Sequence, residues 1–177
     1  LTFEGLTVDT DLRWVLLEGL ARTGHADDER IDAELAADNT ISGQEKAAAC
    51  RAARPTAAAK EEAWDRAVVD PETPNETQRS IAIAFHKPGQ AELLAPYVDK
   101  YLEAVPTSWE RLGPQKASVA LENLFPRLLA SDELLARLDA WLESAPEVNS
   151  GALRKVTEGR ADVARALRAQ QKDAERG

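Results

Sequence analysis

The sequence predicts an all-α protein, an α-solenoid of stacked helical hairpins of the HEAT or armadillo sort, with about ten helices and no sheet. Three observations lead there. Apolar residues recur at helical spacing, most clearly between Lys87 and Leu112, where Leu93, Tyr97, Tyr101 and Val105 form one row and Leu94, Val98 and Leu102 a second beside it. Alanine is abundant and β-branched runs are nearly absent, which favours helix and leaves no alternating strand pattern or Asn-Gly hairpin to compete. Turn residues interrupt the periodic stretches at short intervals, and short connections make consecutive helices antiparallel neighbours. No crisp repeat accompanies the pattern, so the solenoid rests on helix count and loop length, and a closed bundle is the competing arrangement.

Asp9 or Thr10 caps a first helix running to about Arg22. Leu12, Leu16 and Leu20 make one row and Trp14 and Leu17 lie on another side, so this helix is apolar over much of its girth and should be buried between neighbours, with Gly19 admitting a close approach. Gly24 ends it. Asp27 or Asp28 starts a second helix with Ile31 and Leu35 inward, and Asn39 offers a left-handed stop. Ser42 and Glu45 form a capping box for an alanine-rich third helix that Pro55 breaks. Thr56 caps a fourth, in which Lys60, Trp64, Ala67 and Val68 share a face; the Lys60 stem can lie along Trp64 with its charge in water. Asn75 caps a fifth, with Gln78, Ile81, Ala82 and Phe85 aligned, and Pro88-Gly89 follows.

Pro96 either kinks the sixth helix or marks its true first turn. Thr107 and Glu110 read as a capping box for a short helix carrying Trp109 and Leu112, and Gly113-Pro114 turns the chain. Ala117, Ala120, Leu121 and Leu124 then line a helix that Pro126 halts. Ser131 or Asp132 caps the next, with Leu134, Leu135, Leu138, Trp141 and Leu142 inward and Pro146 closing it. The last helix starts near Ser150, with Leu153, Val156, Val163 and Leu167 in a row, Gly159 loosening its middle and a polar tail that frays from Gln170.

The 177 residues suit one domain spanning 1–177. A net charge of -9 argues against nucleic acid or an anionic membrane surface as the partner, and no apolar stretch approaches the roughly 20 residues of a membrane span. The absence of methionine and the opening Leu-Thr-Phe suggest a fragment of a longer chain. The lone Cys50 excludes an internal disulfide, suits a reducing, cytoplasmic setting and should be a small buried side chain. His25 and His86 are far apart, with no His-Glu-x-x-His pair, phosphate loop, Gly-x-Ser-x-Gly elbow or paired-cysteine motif, so no catalytic or metal-binding residue is assigned. His25 reads as a solvated turn residue and His86 as a cation at a helix C-terminus. The final helix is basic within an acidic protein: Arg154, Lys155, Arg160, Arg165, Arg168 and Lys172 either pair with neighbouring acidic helices or form a patch for an anionic group such as a peptide carboxylate or an acidic partner domain.

The phrases DTDLRWVLLEGLARTG, IDAELAADNTISGQEKAAACRAARPTAAAKEEAW, KPGQAELLAPYVDKYLEAVPTSWE and RKVTEGRADVARALRAQQKDAE occur in this order across nearly the whole chain. Together they resemble the C-terminal helical domain of M1-family zinc aminopeptidases, of the actinobacterial aminopeptidase N type. The resemblance implies a helical solenoid that arches over a catalytic domain, encloses a cavity and gates the entry of peptides that lose their N-terminal residues. It implies zinc in the parent enzyme and none in this fragment, since the zinc and substrate-amine motifs are not in this sequence. The partners implied are the chain's own N-terminal catalytic domain and peptide substrates, and the fragment alone is expected not to be an enzyme. Arg154, Lys155 and Arg160 are the candidates for facing the substrate cavity or the catalytic domain. The alternative reading is an independent helical-repeat scaffold that binds a partner protein.

Overall fold

The computed structural model describes residue 5 and residues 8–144 and 147–175; Pro146 and the opening Leu-Thr-Phe lie outside these. The elements are α1 (Thr10–Arg22), α2 (Asp28–Ala37), α3 (Ile41–Ala53), α4 (Ala57–Trp64) extended by a π-helical turn (Asp65–Val69), α5 (Asn75–Phe85), the short α6 (Ala91–Leu94), α7 (Tyr97–Asn123), a 3₁₀ turn (Arg127–Leu129), α8 (Asp132–Ser144) and α9 (Ser150–Ala174). Among the described residues there is no strand, and no helix is long and apolar enough to cross a membrane.

Two rods share the run called α7. Gly113, at φ 75° and ψ 164°, breaks the helix, and Tyr101 Oη donates to Leu121 O at 2.9 Å, which holds the two halves side by side. With that division the packing becomes a ladder. Helices α1, α3, α5, the second half of α7, and α9 follow one another in one layer. Helix α2, α4 with its π turn, the first half of α7, and α8 cover them as a second layer. This is the solenoid of stacked hairpins, with the second half of α7 and α8 making one hairpin and the first half closing the hairpin that α5 opens.

Buried and half-buried polar side chains tie the first layer along one rim. Gln90 Nε2 donates to Arg22 O (3.0 Å) and Ala53 O (2.9 Å), at the ends of α1 and α3. Lys60 Nζ donates to Ala52 O and Phe85 O, both at 2.7 Å, at the ends of α3 and α5. His86 Nδ1 lies 3.3 Å from Asn123 O, at the end of α7. The C-termini of these four helices therefore stand together, and the carbonyls that every helix end leaves unpaired find their donors here. Elsewhere Gln78 Nε2 reaches Ala67 O, within the widened π turn, and Lys116 O, just past the Gly113 break.

The main core runs from Trp64, Phe85 and Tyr97 through Tyr101 and Phe125 to Leu138 and Val156, and its rings meet edge-on or tilted, as aromatic quadrupoles prefer. A second, smaller cluster of Trp14, Leu17, Ala21, Ala26, Ile31, Ala47 and Cys50 sits under α1 and α2.

Most caps fall where expected: Asp9, Asp27, Thr56 and Ser131 each accept a bond from a first-turn amide. Gly24, at φ 78°, follows α1 with its N–H on Ala21 O and the His25 N–H on Leu20 O, a Schellman stop. Several expectations fail for identifiable reasons. The Ser42–Glu45 box does not form; the Asp38 backbone crosses Gly43 so closely that a Cβ would lie 2.0 Å from Asp38 O, and Thr40 caps α3 instead. Asn39 is not left-handed, since no residue other than glycine has positive φ among the described residues. Asn75 is the first helical residue rather than the cap, Pro74 preceding it. Of the two readings of Pro96 the second holds: it stands at the N-cap and marks the start of α7. Thr107 and Glu110 lie inside α7, because the helix runs through Pro106: burial of Tyr101, Leu102, Val105 and Leu112 outweighs the one backbone bond that proline removes. The polar tail from Gln170 is helical as far as Ala174.

Candidate functional site

Helix α9 carries the three basic candidates, and the acidic neighbours in the ladder meet them. Arg160 lies against α8 and donates from Nε and an amino nitrogen to the two oxygens of Asp139 (2.7 and 2.9 Å), a bidentate fork. The pair raises the Arg160 pKa and holds the Asp139 carboxyl below its usual range. Lys155 faces the second half of α7 and donates to Glu122 at 2.7 Å, which lowers the Glu122 pKa through that hydrogen bond. Arg154 is 3.7 Å from Glu158 one turn on, and its side chain is 68% exposed. The three residues are thus not brought to one point: two bind α9 to its neighbours and Arg154 remains in solvent. Of the rest of the basic set, Arg165 pairs with Asp162.

The buried ionisable groups are structural in geometry. Lys60 is 0% exposed, contrary to the expectation of a wet ammonium along Trp64; its stem turns inward and its nitrogen rests on two carbonyls with the Phe85 ring 5.2 Å away. Burial pulls its pKa down to about 7. His86, read from sequence as a helix-end cation, is instead driven neutral: burial lowers its pKa to about 4 despite its bond to Asn123 O. Cys50 is buried as expected, and burial pushes its thiol up to about 12, which leaves no thiolate for chemistry at neutral pH. His25 is exposed in its turn, with Nδ1 3.1 Å from Thr23 Oγ1. Among the described residues no three of the His, Cys, Asp and Glu side chains gather as a metal set.

Sequence reasoning missed the polar ties. The signal was present: Lys60 and Gln78 interrupt apolar rows, at positions one turn from Trp64 and Ala82, where a polar group is buried only if it is bonded. Gln90, after a Pro-Gly turn, carried no such signal. Gly159 was misread as a weak point; the Phe125 ring lies flat enough on it that a Cβ would come within 2.3 Å.

Residues 2–165 match the ERAP1-like C-terminal domain. The chain belongs to that family. This ERAP1-like C-terminal domain is also 43% identical, over 173 residues, to aminopeptidase N of Streptomyces lividans, an alignment that covers 98% of this chain and 20% of that protein. The domain therefore spans about one fifth of the relative's length, and it corresponds to a C-terminal part of such an enzyme.

Proposed function

We propose that this domain is the non-catalytic C-terminal cap of a zinc-dependent aminopeptidase of the M1, aminopeptidase N type. It covers the cavity in which peptides lose their N-terminal residues and limits entry to those that fit beneath it. The observation that carries this reading is the 43% identity to Streptomyces lividans aminopeptidase N over 98% of the domain, confined to a fifth of that enzyme. Two features support it. The buried Lys60, Gln78 and Gln90 and the half-buried His86 are engaged in holding helices together, which suits a shaped wall. Among the described residues the histidines and the cysteine are poorly placed for zinc, which suits a metal held elsewhere in the enzyme: His25 stands in a solvated turn, the Nδ1 of half-buried His86 is on a carbonyl, and Cys50 is protonated. Arg154, Lys155 and Arg160 remain our candidates for facing the cavity or the catalytic domain; Lys155 and Arg160 are already paired with Glu122 and Asp139, and Arg154, exposed beside Glu158, is the one whose guanidinium can meet a peptide carboxylate.

The test compares alanine p-nitroanilide turnover by the 177-residue chain with zinc and by the whole polypeptide that carries it. The expected result is background rate for the domain and turnover for the whole polypeptide; turnover by the domain alone overturns the reading. In the whole polypeptide, Arg154→Ala should raise KM for peptides several-fold while leaving that for the anilide, which lacks a C-terminal carboxylate, unchanged. Equal effects on both substrates would remove Arg154 from the cavity.

A further inference from the structure

The second layer is open between the first half of α7 and α8. These two stand side by side without interlocking, and the Arg137–Asp99 ion pair bridges them. Beside that pair lies a groove of about 450 Å³, within the range of roughly 300–1,000 Å³ common for ligand clefts. Its lining follows from the chain's course. Leu124 and Phe125 fill the core at the end of α7, and the 3₁₀ turn that follows swings Leu128 outward, where it is 51% exposed, before Ser131 caps α8. Val98 and Leu134 form the buried part of the groove, and Ala91 and Ala95 are exposed along its other wall. Over Ala91 and Glu92 the groove runs into a second hollow of about 450 Å³ beside Pro55, Gly89 and Leu93. Every residue that lines the two hollows is among those described.

The rim is acidic. Glu92 is shared by both hollows and Glu133 stands on the first turn of α8; both are exposed, and neither has an ion-pair partner among the described residues. The cation on the groove, Arg137, is already held by Asp99. Helix α8 as a whole carries Asp132, Glu133, Asp139 and Glu143 against that one arginine.

We propose that this groove is a docking site for a separate polypeptide, entered by an extended segment with leucine-type side chains two residues apart and lysine or arginine beside them. Side chains two apart on an extended chain fall on one side, roughly 7 Å from each other, and the apolar walls on either side of Glu92 offer them two places. The long basic stems reach the carboxylates of Glu92 and Glu133, which repel an acidic segment. A compact ligand would use one hollow only, whereas a chain follows both.

The probe is acetyl-Lys-Leu-Lys-Leu-Lys-amide, added to the isotope-labelled 177-residue chain and followed by amide chemical shifts. Saturable shifts are expected at residues 91–98 and 128–137, with affinity at least tenfold weaker when glutamate replaces the lysines or serine the leucines. Saturable shifts confined to other parts of the fold, no saturable shifts, or equal binding of the glutamate peptide each overturn the proposal. Leu128→Ser, a change at an exposed position, should weaken binding tenfold or more, and Glu92→Gln with Glu133→Gln about threefold or more at low salt. Unchanged affinity in either variant overturns the proposed partner. Maleimide labelling of Leu128→Cys, in which buried Cys50 does not compete, should run at the same rate in this chain and in the whole polypeptide that carries it. Strong slowing in the whole polypeptide would mean that its own chain covers the groove, and would overturn a separate partner. The peptides have blocked ends and so lack the amine and the carboxylate that the cap function concerns, so their binding and the anilide turnover fail or succeed separately.

Discussion

Lys60 is held without a carboxylate partner: two helix-end carbonyls, the face of Phe85 and the nearby Lys87 are its surroundings. Its proton is therefore a stability variable. In the unfolded chain the amine binds a proton up to its ordinary value of 10.5, and in the fold only up to about 7. Between those values the unfolded state holds more protons, so this residue makes stability rise with pH, and below 7 its cost is constant. Urea unfolding of the 177-residue chain from pH 7 to 9.5 should show that rise, and Lys60→Met should remove most of it while leaving the remaining slope. An unchanged slope in Lys60→Met would mean that the amine titrates in the fold as it does in water. Gly159 makes a second prediction at this scale. Alanine there drives its methyl into the Phe125 ring, and about 1–3 kcal/mol of stability should be lost by urea unfolding. The loss should shrink in a Phe125→Leu background, since the two residues share one contact.

At the scale of the element, Gly113 divides α7. Its φ of 75° with ψ of 164° is a conformation open essentially to glycine alone, and a Cβ there would touch nothing within 4 Å. Gly113→Ala therefore isolates backbone strain from crowding and should cost about 1–3 kcal/mol in equilibrium unfolding. A cost near zero would show that the two halves of α7 can meet in another way. The helices themselves were legible because their signals are local: the Tyr97–Tyr101–Val105 stripe, the caps Asp9, Asp27, Thr56 and Ser131, and the stop at Gly24 need only their own neighbours. The boundaries that went astray depend on distant chain. Thr40 rather than Ser42 caps α3 because Asp38, which accepts a bond from Trp14 Nε1 at 2.8 Å, lies across Gly43. Pro106 fails to end its helix because the residues around it are gripped by the core.

For the whole molecule, the all-helical class and the solenoid were readable from composition and spacing, whereas the assignment of helices to layers was not. Nothing local says that the run from Tyr97 to Asn123 contributes one half to each layer; that depends on Tyr101 reaching Leu121 O. The candidate site was legible in part. The basic character of α9 is plain in the sequence, but which of Arg154, Lys155 and Arg160 is paired depends on Asp139 and Glu122, brought there by other helices. Leu16 was read as part of a buried row because periodicity reports what a helix can bury, and in the fold it stands 39% exposed.

Repeat proteins are commonly treated as interchangeable bricks, with units cut out or shuffled at their loops. The row of helix ends joined by Gln90, Lys60 and His86 resists that treatment, for each donor belongs to one hairpin or connection and serves the carbonyls of another. Excising α4 would leave Ala52 O and Phe85 O without Lys60, and cutting the chain between α5 and α6 would detach Gln90 from the helices whose ends it joins. An engineer seeking a shorter or longer version of this domain would have to transplant a seam along with the brick.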